Sequence, residues 1–156
     1  MKITKAKKSD RKFIAKLLFE LLNIKNAGEG EKIFLSETKK GHNYLIAKEK
    51  NNGVGLITYL MHGRPKHGLA ELYHVVVMPE YRGTGAAKKL FLALEKELKA
   101  EYKKAGGKLR KLFLMTRRNN SRAQRFYKKM GMKFETRLKS HFYKGKDEYI
   151  FSKFYK

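Results

Sequence analysis

Phe13, Ile14, Leu17, Leu18, Leu21 and Leu22 recur at the three-and-four spacing of a helix and set one apolar stripe against a charged remainder. Lys16 and Glu20 interrupt that stretch, so it reads as an amphipathic helix and not as a secretory leader. Residues 2–7 ahead of it read as a short edge strand, with Ser9 as the expected N-cap. Residues 27–30, Ala-Gly-Glu-Gly, are expected to break the helix, and residues 31–40 to form a second, shorter one closed by Gly41. From Asn43 the period becomes that of strands. Residues 44–48 and 54–61 read as a hairpin joined through Asn51, Asn52 and Gly53. A loop over 63–68 leads into a third strand over 69–78. Residues 86–102 return to a helical period, with Leu90, Phe91, Leu94 and Leu98 inward and Glu95, Glu97 and Glu101 outward. After Gly106-Gly107 come a strand at 109–115 and a helix at 121–130, with Gly131 in the left-handed position that closes it. A final hairpin pairs 132–138 with 148–154. The pattern is a mixed α/β one: strand, two helices, three strands, helix, strand, helix, two strands. No repeat, linker or low-complexity segment divides it, so one domain over residues 1–156 is expected.

Composition changes this picture mainly through charge. A chain of 156 residues with 42% apolar content supports one substantial core. The absence of cysteine excludes disulfides and thiolate zinc sites. No apolar run approaches the length of a membrane span, and a cytoplasmic protein with no membrane partner is the expectation. His42, His62, His67 and His141 are scattered without metal-ligand spacing, so no metal is expected. Thirty-eight basic residues against fourteen acidic ones give a net charge of +24. The lysines spread along the whole chain, which leaves three accounts open: a nucleic-acid or ribosome surface, steering of an acidic partner, or composition alone.

The chemistry gathers between Val75 and Lys88. Val75, Val76 and Val77 run through Met78 into Pro79, then come Gly83 and Gly85, and a helical pattern starts at Ala86. Strand, glycine turn and helix start together aim free N–H groups and the positive helix end at one point, an anion site. Lys88 stands where a dinucleotide fingerprint needs its third glycine, and the Gly-Lys-Ser/Thr of a Walker loop is missing. Arg82-Gly83-Thr84-Gly85-Ala86-Ala87 instead fits Arg-x-x-Gly-x-Ala and resembles the acetyl-CoA loop of GNAT-family N-acetyltransferases. A second segment, Asn120 to Tyr127 with Gly131 and Met132 after it, is similar to that family's Asn-x-x-Ala-x-x-x-Tyr-x-x-x-Gly-Phe motif, with Met132 where Phe is usual.

The resemblance implies a fold: a central, mixed, mostly antiparallel twisted sheet of about seven strands with four helices. It also implies acetyl-CoA as donor, a primary amine as acceptor, and a monomer or homodimer. Gly83, Thr84, Gly85, Ala86, Ala87 and Lys88, with Arg82 opening the motif, are implied to hold the pyrophosphate. Backbone groups of Val75, Val76 and Val77 would bond the pantetheine amides in a splayed strand pair, and the Val75 N–H would polarise the thioester carbonyl. Asn120 is implied at the cofactor and Tyr127 at the departing sulfur, as hydrogen-bond donor or general acid. Asn120 stands at a helix start with Ala123 and Tyr127 following on the same face; a plain core aromatic is the competing reading of Tyr127. With no cysteine, a covalent acetyl-cysteine step is excluded.

An ammonium with a pKa of about 8–10 has no free lone pair, so a base is expected. Glu71, four residues before Val75, is the first candidate, and a surface carboxylate is its competing reading. Strict alternation puts Glu71, Tyr73 and Val75 on one face and His74 on the other, which makes His74 the weaker candidate. Met115 stands five residues before Asn120, where ribosomal-protein alanine acetyltransferases carry Glu, a departure from that subfamily. Two classes of function follow. One is direct acetyl transfer in a ternary complex. The other is a nucleic-acid- or ribosome-associated protein on the same scaffold, with an aminoacyl-tRNA or a ribosomal protein as acceptor.

Overall fold

The first apolar stripe forms α1 (Arg11–Leu21), and its Ile14, Leu17 and Leu18 are wholly shielded from solvent. The structure, a computed structural model, describes residues 1–156. Ser9 is not the cap: it lies inside a 3-10 turn, Lys8–Asp10, and Asp10 leads into α1. The Asp10 carboxylate accepts the Lys7 N–H at 2.8 Å and pairs with Lys48, which ties the turn to the sheet.

The expected break at residues 27–30 is also corrected. α2 (Ala27–Lys39) begins there, because the Asn26 side chain accepts the Glu29 N–H at 2.9 Å and caps the helix. Gly30 serves packing: a Cβ at that position would stand 2.7 Å from the Ala15 carbonyl oxygen. Gly30 marks where α2 crosses α1 closely, and the chain turns instead over residues 22–26.

The strands are β1 (Lys2–Lys5), β2 (Asn43–Glu49), β3 (Asn52–His62), β4 (Leu69–Val77), β5 (Lys111–Arg117), β6 (Lys133–Tyr143) and β7 (Lys146–Phe154). The first hairpin turns at Lys50-Asn51, one residue early, with Lys50 at φ 54°. The seven strands form one sheet in the order β1-β2-β3-β4-β5-β7-β6. Every pairing is antiparallel except β4 with β5. With α3 (Ala86–Lys104) and α4 (Ser121–Lys129), the mixed sheet of seven strands and four helices matches the expected architecture.

Two apolar layers cover the sheet. On one face, Leu90, Phe91, Leu94 and Leu98 of α3 and Tyr127 of α4 pack on Tyr59, Leu72, Leu112 and Phe151. On the other, Ile14, Leu17 and Leu18 of α1 and Phe34 of α2 pack on Tyr44, Ile46, Leu56 and Val76. Each fully buried side chain of this size contributes about 1.5–3 kcal/mol. Glu95, expected outward, is buried; it accepts from Lys153 Nζ and Tyr155 Oη, both at 2.6 Å. It lies at the margin of the α3 stripe, where the C-terminal strand returns over it.

Two irregularities in β4 set up the rest. Thr58 pairs with His74 and Tyr59 with Leu72, so Tyr73 is an extra residue, a bulge. In addition, β4 meets β5 only through Leu69, Ala70 and Glu71, and past Glu71 the two parallel strands part.

Candidate active site

The bulge resets which side chains share a face. Beyond it Val75 and Val77 lie with the α3 layer, while Val76 lies with the α1–α2 layer. Glu71 and His74, paired opposite Leu60 and Thr58, fall on that second side together. The expectation that Glu71 shares a face with Tyr73 and Val75, opposite His74, is therefore corrected. One inserted residue moves everything after it to the other face.

The main chain between Val75 and Lys88 follows from hydrogen-bond parity. The Met78 N–H donates to the Val54 carbonyl at 2.9 Å, and the His74 N–H donates to Thr58 Oγ1 at 2.9 Å. Even-numbered residues thus turn their backbone toward β3, which engages Val76 with Leu56. Val76 is accordingly withdrawn as a main-chain contact for pantetheine. Val75 and Val77 turn theirs toward the gap left by β5. The Val77 carbonyl is taken by Arg82 Nε at 3.2 Å, and the Arg82 guanidinium continues to Glu20 of α1 at 2.9 Å. Arg82 thereby fixes the loop to the strand end and to α1. The Val75 amide stays directed into the gap.

The loop after β4 is built from two left-handed glycines, Gly83 at φ 78° and Gly85 at φ 84°. A Cβ on either would meet nothing within 4 Å, so the space beside both glycines is open. Thr84 Oγ1 donates to the Tyr81 carbonyl at 2.6 Å and holds the turn. None of the six N–H groups from Gly83 through Thr84, Gly85, Ala86 and Ala87 to Lys88 has a backbone acceptor; the first helical bond is Lys89 N–H to the Gly85 carbonyl. Six free donors at the start of a 19-residue helix make an anion cradle. The donor set fits a pyrophosphate.

Asn120 caps α4, its Oδ1 accepting from the Ala123 N–H at 3.2 Å. Tyr127, two turns on, is 7% exposed and packs in the layer that includes Val77 and Ala86. Burial alone pushes its phenol up to about 12; no hydrogen bond or neighbouring charge enters. Tyr127 and the glycine loop thus belong to one side of the gap, and Glu71 with His74 to the other.

Glu71 is 6% exposed, which removes its surface-carboxylate reading, and its Oε2 lies 2.8 Å from His62 Nε2. His74 Nε2 lies 2.9 Å from Glu37 Oε1, and the Tyr44 hydroxyl donates to the other Glu37 oxygen. Burial pushes the Glu37 carboxyl up. Hydrogen bonds from His74 and Tyr44, with the charges of His74 and His42, outweigh that and hold it below the ordinary carboxylate range. His42 Nδ1, 3.6 Å from Glu37, is buried without a hydrogen-bond partner. Tyr73, pushed out by the bulge, sets its ring against both His42 and His74 at centroid separations of 4.5 and 4.8 Å. Sequence reasoning missed Glu37 and His62. Neither sits in a local motif, and only the fold brings α2 to β4 and pairs the end of β3 with Glu71.

The description "Acetyltransferase (GNAT) family" belongs to the family model that matches residues 14–132. No curated protein matches the chain by sequence. Among solved structures, an aminoglycoside 6'-N-acetyltransferase complexed with coenzyme A is 17% identical, with TM-score 0.80 over 99% of this chain and 97% of that one. A ribosomal-protein-alanine N-acetyltransferase from Brucella melitensis is 19% identical, with TM-score 0.77 over 99% of this chain and 100% of that one. A spermidine N-acetyltransferase variant from Vibrio cholerae is 18% identical, with TM-score 0.79 over 99% and 95%.

Proposed function

The chain belongs to the acetyltransferase (GNAT) family, whose members are acetyl-CoA-dependent transferases, and from that premise we propose that it acetylates a primary amine by direct transfer in a ternary complex. The observation that carries this reading is the parting of β4 from β5 past Glu71, with the Val75 amide directed into the opening and the free N–H loop at its end. Acetyl-CoA supplies an acetyl group already activated as a thioester.

The chain's own groups divide the remaining work by side. The N–H groups of Gly83 to Lys88 hold the pyrophosphate, and Asn120 on α4 flanks the cofactor. The Val75 N–H faces the thioester oxygen and stabilises the charge that builds there during attack. Tyr127, on the α3–α4 side, donates a hydrogen bond to the sulfur as it leaves. Glu71, on the α1–α2 side and oriented by His62, takes the proton that the amine loses. Attack by the amine on the thioester carbonyl gives a tetrahedral intermediate, and its collapse re-forms the carbonyl and expels the thiolate. His74, oriented by Glu37, lies on the same side as Glu71 and places the acceptor. The aminoglycoside, ribosomal-protein and spermidine enzymes among the structural neighbours all take amines, which agrees with this class without selecting a member.

The test is thiol release from acetyl-CoA by the purified protein against polyamines, aminoglycosides and N-terminal peptides. Amine-dependent release is expected. Absence of both release and acetyl-CoA binding overturns the reading. Glu71→Gln is expected to lower kcat about 100-fold or more, the size of a lost general base, with the acetyl-CoA Kd nearly unchanged. A variant with wild-type kcat on an active acceptor removes Glu71 from the chemistry.

A further inference from the structure

Residues 102–134 hold twelve lysines and arginines and no aspartate or glutamate, half of the net charge in about a fifth of the chain. The even spread of lysines noted above hides this, because the carboxylates are what is unevenly placed. The stretch ends β5 with exposed Arg117 and Arg118 and continues through α4, where Arg122, Arg125, Lys128 and Lys129 are all exposed. Gln124 donates to the carbonyls of both Arg117 and Arg118 and fixes α4 against that strand end.

Beside this end of β5 lies the β6–β7 hairpin, which has an unusual register. Leu138 pairs with Glu148 and Tyr143 with Lys146, so Lys139, Ser140, His141 and Phe142 stand opposite Asp147 alone. The bulge is a built feature. Ser140 adopts φ 48°, its N–H donates to Asp147 Oδ1 at 2.9 Å, and its Oγ accepts the Gly145 N–H at 2.9 Å. It presents Phe142 at 61% and Tyr143 at 59% exposure. The Tyr143 ring is flanked by Arg117 at 5.4 Å and Lys146 at 5.8 Å. Two carboxylates lie here: Asp147 is shared by Arg118 and Arg137, and Glu148 is buried opposite Arg117 and Leu138; neither forms a salt bridge with Arg117, Lys139, Lys144 or Lys146. An edge strand carries lysines to discourage pairing with other chains. That accounts for the charges and not for large rings set in solvent among them.

We propose that the β6–β7 hairpin and the adjoining end of β5 bind single-stranded RNA. Cations track a phosphate backbone, and exposed rings between them offer stacking faces to unpaired bases. An acidic protein segment would use the cations and leave the rings idle. The proposal does not depend on acetyl transfer.

Fluorescence anisotropy with a labelled U12 RNA, from 50 to 300 mM KCl, tests it. Each neutralised phosphate contributes a log–log slope of about −0.7, so four or five cations predict a slope near −3. The double substitution Phe142→Ala/Tyr143→Ala should weaken binding at least about fivefold at constant net charge, the smaller end of stacking on one base. Lys144→Glu/Lys146→Glu should flatten the slope, while Lys16→Glu/Lys32→Glu, the same charge change on α1 and α2, should not. Unchanged thermal unfolding of each variant confirms that the fold is intact. Three results overturn the proposal: no U12 binding at 50 mM KCl, equal competition by polyglutamate with no effect of the ring substitutions, or tighter binding of a DNA 12-mer of the same sequence.

Discussion

Tyr127 is claimed by both chemistry and packing, and its buried phenol decides how the two combine. A thiol titrates near 8.5 in an ordinary setting, so a proton moving to a departing thiolate from a phenol at about 12 runs roughly 5 kcal/mol uphill. In the proposed mechanism Tyr127 is therefore assigned the role of hydrogen-bond donor and not of acid. Tyr127→Phe removes that donor and little volume; kcat should fall about 10- to 100-fold while the acetyl-CoA KM hardly moves. A wild-type kcat returns Tyr127 to the core. Glu37 gives a second check at this scale. Its folded carboxyl lies below the unfolded value of 4.5, so it adds stability that is fully present above that value and lost as pH falls through the folded one. The gap in Tm between the wild type and Glu37→Gln should be full above pH 4.5 and close as pH falls below it. A gap that does not depend on pH contradicts the hydrogen-bonded, ionised Glu37.

Elements carried most of what the sequence made legible. The α1 stripe, the hairpins, the helix from Ala86 and the cap-to-Gly131 frame of α4 all follow from local period and local turn chemistry. What was not legible depended on pairs. Gly30 looks like part of a break until α1 lies across it, since only then does its missing Cβ matter. The faces of β4 look regular until Tyr73 proves to have no partner on β3. Glu37 and His62 have no neighbours in sequence that signal a role. The crossing makes its own prediction: Gly30→Ala gains about 1 kcal/mol of helix propensity and loses more to the contact with Ala15. A fall in Tm of a few degrees is expected, and a rise contradicts the close packing. The loop supplies another. Gly85→Val strains a left-handed residue by about 1–2 kcal/mol and places methyl groups on the open side of the cradle, so acetyl-CoA affinity should fall at least tenfold in a protein that remains folded. Isothermal titration checks it, and unchanged affinity counts against the loop.

At the scale of the whole molecule, the sheet is a two-sided device with an opening between β4 and β5. The α3–α4 layer carries the glycine loop and Tyr127, and Glu71, His74 and Glu37 lie on the α1–α2 side. No helix of the chain is long and apolar enough to cross a membrane. The central claim is that acetyl-CoA is held by main-chain N–H groups at that opening. The most direct measurement is a titration of isotope-labelled protein with coenzyme A, read at every backbone amide. The largest downfield shifts should fall on Gly83 to Lys88 and on Val75, with Val76, engaged to β3, moving little. Shifts centred elsewhere, with the amides of Gly83 to Lys88 unmoved at saturation, contradict the account.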